Sequence, residues 1–164
     1  MIDFFVGLGL SKTQAGDLNL FLMMLVCSLV LIFLVKKNKV VAFAFSVYVA
    51  YFLTRLSYFE LTATYIGKIT VFLFLAFLIH YALLAPLVSV KLGRGNLLRW
   101  LKRIIIALTV VGLMTTVILD WLPTKEVVKL LSPFTLKLFT TKVAKLIWGV
   151  LPLLAIALLR KKEN

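Results

Sequence analysis

Acidic residues are scarce in this chain, with six Asp and Glu against 19 Lys and Arg in 164 residues. Histidine and cysteine are scarcer still, one of each, His80 and Cys27. These shortages exclude a good deal of chemistry. No internal disulfide is possible, and one His and one Cys on different apolar runs give at most two ligands where zinc takes three or four. Cys27 reads as a small apolar packing residue. Intramembrane aspartyl catalysis needs two buried acids, and none of the six lies deep in an apolar run. A transferase acting on phosphorylated headgroups would want several carboxylates around a metal, which six scattered ones do not supply. His-Glu-x-x-His, Gly-x-Ser-x-Gly, a phosphate-cradling glycine loop and Cys-x-x-Cys are all missing. Gly93-Arg-Gly95 lacks the further glycine and strand context of a dinucleotide loop and reads as a flexible turn. The expectation is no enzyme, no cofactor and no metal.

What the chain has in quantity is hydrophobicity. Apolar residues make up 63% of it, and the mean hydropathy is +1.09. That is too apolar for an ordinary soluble domain. No Pro/Gly/Ser-rich or acidic linker divides it, so residues 1–164 form a single integral membrane domain. A net charge of +13 suggests nucleic acid, but the basic residues sit between apolar runs instead of lining one soluble face. Contact with anionic lipid fits that pattern, and nucleic-acid binding does not.

Residues 69–90 and 104–122 are two apolar runs joined by a basic loop carrying Lys91, Arg94, Arg99, Lys102 and Arg103. Each run can cross the ~30 Å hydrocarbon core at about 1.5 Å per residue. The loop marks the cytoplasmic side, where its five basic side chains are expected to meet anionic headgroups. The whole pattern predicts an all-α, polytopic membrane helix bundle of about five transmembrane helices. They fall at 17–35, 40–59, 66–90, 101–122 and 143–159, or number four if the last run only dips into the bilayer.

Residues 1–16 are expected at the interface. They lack the basic start of a signal peptide, and no cleaved signal is expected. Ser11-Lys-Thr-Gln14 has the form of a capping box, and Asp17 is the other candidate cap for the first span. Pro86 predicts a kink in the third span. Trp100 and Trp121 are placed as interfacial anchors of the fourth, with Gly112 and Thr116 as its small-residue contact. Pro123 ends that span. Residues 124–142 alternate lysines with Val, Leu and Phe, which predicts an amphipathic interfacial segment broken at Ser132-Pro133.

Candidate functional residues are few. Ala42, Ser46 and Ala50 form a four-residue-spaced small stripe of the kind that lets membrane helices approach closely. His80 stands alone near mid-membrane, where an ionisable group is a candidate for proton relay or ligand binding. The structural alternative is a neutral imidazole bonded to Tyr81 or to a threonine of the fourth span. Arg55, Glu60 and Asp120 share the outer helix ends, and an Arg55–Asp120 ion pair is expected to pin the second span to the fourth.

Orientation follows from charge. With the amino terminus outside and the carboxyl terminus cytoplasmic, 11 of the 19 Lys and Arg lie inside and five of the six acids lie outside.

A first span stops at Lys36-Lys-Asn-Lys39, an aromatic and small-residue helix follows, then a bulky span, a basic loop with Gly93 and Gly95, and a span ending at Asp120-Trp121. This order of elements resembles the colicin V production protein family of small bacterial inner-membrane proteins. Lysines replace the glycine-rich, arginine-containing end of the family's first span. The resemblance implies an accessory envelope role and carries over no catalytic residues. Two functions are therefore expected in order. The first is a non-enzymatic envelope protein acting by helix–helix contact with itself or a membrane protein partner. The second is an oligomeric small transporter or channel subunit.

Overall fold

The computed structural model describes residues 2–7, 9–35, 39–56, 64–84 and 96–159, and every regular element among them is helical. The helices are α1 (Ile2–Gly7), α2 (Lys12–Leu34), α3 (Val40–Arg55), α4 (Tyr65–Ile79, continued by a π turn His80–Leu84), α5 (Asn96–Trp121), α6 (Thr124–Leu130), α7 (Pro133–Thr140) and α8 (Lys142–Leu159). Helices α2, α4 with its π turn, α5 and α8 are each long and apolar enough to cross a membrane, while α3 is apolar but only 16 residues. The chain is a multi-pass membrane helix bundle.

Local chemistry sets the helix ends. Gly9 takes a positive φ of 90°, and its N–H and that of Leu10 return to the carbonyls of Val6 and Phe5, a left-handed stop for α1. Ser11 then caps α2 with a complete capping box: its hydroxyl accepts from the Gln14 N–H and its own N–H donates to Gln14 Oε1 at 3.1 Å. Helix α2 thus starts at Lys12, before the expected residue 17, and Asp17 is not its cap. The Asp17 carboxylate instead accepts the backbone N–H of Ser132 at 3.0 Å. Helix α3 ends at Arg55, short of residue 59. The expected kink at Pro86 lies outside the described residues.

Helix α5 is the central post, packed by α2, α3, α4, α7 and α8. Its faces divide the work. Ile106, Val110, Leu113 and Val117 join Phe43, Val47 and Phe72 in the main core, and Val111 and Leu119 join Met24, Val127 and Phe139 in a second. The stretch after Pro123 breaks at Leu131 and Ser132, as the proline at 133 requires. It does not lie apart from the bundle, because Thr135 and Phe139 of α7 are fully buried. Phe139 stacks on the Trp148 indole with centroids 5.2 Å apart, and Trp148 Nε1 donates to the Leu138 carbonyl at the end of α7.

Glycines permit two close approaches. A methyl group at Gly16 would come within 1.7 Å of the Leu130 carbonyl oxygen, so α6 rests directly on α2. One at Gly112 would come within 2.0 Å of Trp148, so the indole beds down on bare α5 backbone.

Candidate functional site: the ion cluster at Asp120

Up-and-down threading brings the carboxyl ends of α3 and α5 and the amino end of α8 to one end of the bundle. Asp120 stands between them. Arg55 Nη2 donates to Asp120 Oδ2 at 2.5 Å, and Lys145 Nζ pairs with Oδ1, so both carboxylate oxygens are engaged. The Arg55 guanidinium also lies over the Tyr51 ring, 5.7 Å from its centroid. Lys145 stands in the first turn of α8, where a cation opposes the helix dipole, and the Asp120 carboxylate offsets that repulsion.

Just below, Pro152 cannot donate an N–H to the Trp148 carbonyl. The neighbouring Gly149 carbonyl accepts the Tyr48 hydroxyl at 2.5 Å, tying α3 to this turn of α8. Tyr48, Tyr51, Thr116, Asp120, Lys145 and Gly149 enclose most of a cavity of about 100 Å³. The arrangement can clamp three helices and hold a few small polar molecules. It holds no second carboxylate beside Asp120 among the described residues: Glu126 lines a different cavity, between α2 and α6. Glu60 lies outside the described residues.

The opposite end is also tied. Lys102 Nζ donates to the Leu159 carbonyl at 3.1 Å, capping the carboxyl end of α8 with a cation. Lys102 is therefore occupied by the chain itself, and Arg103 is 7% exposed. Helix α5 turns Arg103 into the bundle, so that guanidinium is not displayed as expected, while Lys102 stays half-buried. Lys91 and Arg94 lie outside the described residues, as does the Arg99 side chain.

His80 is 1% exposed. It sits edge-on to Phe43 and Tyr81, at centroid distances of 5.4 and 4.9 Å. Phe43 is one turn from the start of α3, so His80 packs at the level of that first turn. Its Nδ1 has no hydrogen-bond partner among the described residues. Ala42, Ser46 and Ala50 are each 0% exposed and lie inside the chain's own core. Ser46 donates its hydroxyl back to the Ala42 carbonyl at 2.9 Å. The stripe is consumed by packing within the bundle and offers no face to a partner.

Sequence reasoning missed Lys145 as the second cation, and it missed Tyr48 and Trp148. The signal for Lys145 was its place in the first turn after Thr141, on the side of the membrane where the fourth span delivers Asp120. No group of three or more His, Cys, Asp or Glu side chains that could hold a metal occurs among the described residues. No known protein family, curated protein or solved structure matches the chain.

Proposed function

We propose that this chain is a non-enzymatic accessory protein of the cell envelope that acts through contacts of its outward helix faces. It lies in the inner membrane with the amino terminus outside and the carboxyl terminus in the cytoplasm. The observation that carries this reading is the fate of Arg55, Asp120 and Lys145, which are taken up in links between α3, α5 and α8. A group held in such a clamp stabilises the bundle and does not poise a reaction. Orientation draws support from the sequence, where the clusters of basic residues at 36–39, 91–103 and 160–162 are the ones the positive-inside pattern puts in the cytoplasm. Lys91, Arg94 and Arg99 remain the candidates for anionic headgroups there.

The small-residue stripe being internal, association with a second copy or a membrane protein falls to outward faces. Phe21, Leu22, Leu25 and Val26 of α2 and Leu146, Ile147, Leu154 and Leu158 of α8 are exposed. A photoreactive residue at Val26 or Leu154, activated in native membranes, is expected to give a discrete protein adduct from one of these faces. Lipid adducts alone from both would overturn the reading.

A second reading, an oligomeric transporter or channel subunit, draws support from the small cavity beside Asp120 that Tyr48 and Thr116 help to line. It predicts ion or small-solute flux in proteoliposomes that Asp120→Asn alters. Absence of flux from the unaltered protein ends it.

A further inference from the structure

On the face of α5 away from the ion cluster, a groove of about 440 Å³ opens between α2, α4 and α5, with buried Phe43 at its base. Its α2 wall runs from Leu20 to Val35, roughly 22 Å at the helical rise. That exceeds one leaflet of a ~30 Å hydrocarbon core. Among the residues lining it, Thr115 and Cys27 alone carry polar hydrogens on their side chains, and the Thr115 hydroxyl is already given to the Val111 carbonyl at 2.9 Å. A peptide or sugar in this groove would leave its own polar groups unbonded. A hydrocarbon chain has none to leave.

The groove continues toward the Asp120 end as a second cavity of about 230 Å³, with which it shares Leu20, Met23, Leu119 and Leu122. The lining there changes character, adding Asn19 and Glu126. Asn19 Oδ1 is buried with no hydrogen-bond partner among the described residues. Glu126 lies on α6, so a carboxylate and an unpartnered amide oxygen share the polar mouth. An apolar trough with a carboxylate and an unpartnered acceptor at its mouth complements an amphiphile whose head carries a cationic hydrogen-bond donor.

We propose that the two cavities form one binding site for a single phospholipid whose headgroup carries an ammonium donor. One acyl chain fills the groove between α2, α4 and α5. The ammonium group meets Asn19 and Glu126. The site stands apart from the ion clamp and does not depend on whether the chain associates with other proteins.

The test is native mass spectrometry of the purified full chain, titrated with phosphatidylethanolamine and with phosphatidylcholine of the same acyl chains. One phosphatidylethanolamine is expected per chain, at a concentration at least tenfold lower than phosphatidylcholine requires, because the trimethylated head has no donor. Thr115→Trp and Cys27→Trp fill the groove from opposite walls and are expected to weaken binding at least tenfold. Leu25→Trp adds the same bulk to α2 outside the groove and is expected to leave binding unchanged. Asn19→Leu is expected to narrow the preference between the two heads while a chain still binds. Equal binding of both lipids by the unaltered protein, or undiminished binding by both groove-filling variants, overturns the proposal.

Discussion

The Trp148 indole lies on Gly112 so closely that a single methyl group there would come within 2.0 Å of the ring. The same indole stacks on Phe139 and donates to the Leu138 carbonyl, so one side chain joins α5, α7 and α8. Gly112→Ala is expected to lower stability by about 1–3 kcal/mol through overpacking. Trp148→Leu in the same chain should recover part of that loss, since the offending ring is gone. Thermal unfolding in detergent checks this. Strictly additive losses would mean the two residues do not meet.

Asp120 holds two cations that are both partly open to solvent, so each pair is weaker than a buried one. Asp120→Asn is expected to cost about 1–2 kcal/mol, most of it from leaving Arg55 and Lys145 facing each other without a carboxylate. In a double-mutant cycle, Lys145→Met should cost clearly less in a chain already carrying Asp120→Asn than in the parent. Equal costs would show that Lys145 owes nothing to Asp120.

Gly16 and Asp17 fasten α6 and α7 to α2, one by close backbone approach and the other by accepting the Ser132 N–H. Gly16→Ala or Asp17→Leu is expected to speed hydrogen exchange across residues 124–140 while α3, α4 and α5 keep their protection. Uniform acceleration throughout the chain would show instead that this attachment supports the whole bundle.

Ser46→Leu places a large side chain at a fully buried position among the residues of the main core. It is expected to reduce stability by about 1–3 kcal/mol and to leave the oligomeric state unchanged. A change of oligomeric state at unaltered thermal stability would return this stripe to an intermolecular role.

Much of the bundle was legible because apolar length and basic punctuation are one-dimensional signals. The capping box at Ser11, the break at Ser132-Pro133 and the Arg55–Asp120 pair could all be read from spacing and from which helix ends share a side. What could not be read was how each helix is rotated. Rotation decides that Ala42, Ser46 and Ala50 face inward, that Lys102 caps α8 and that Arg103 is buried. Packing was equally hidden for His80, whose neighbours Phe43 and Tyr81 are set by how α3 and the π turn meet. Trp148 escaped notice because its role depends on Gly112 and Phe139, 36 and nine residues away.

The most direct measurement is thiol labelling by a membrane-impermeant maleimide, with single cysteines at positions 55 and 80 in a Cys27→Ser background. If the polar groups clamp a closed bundle, position 55 labels from the outside and position 80 is protected from both sides. Labelling at 80 from the outside would reveal a water path running from the Asp120 cluster past the core to the other end. That result would contradict the non-transporting reading and make Asp120 the mouth of a conduit.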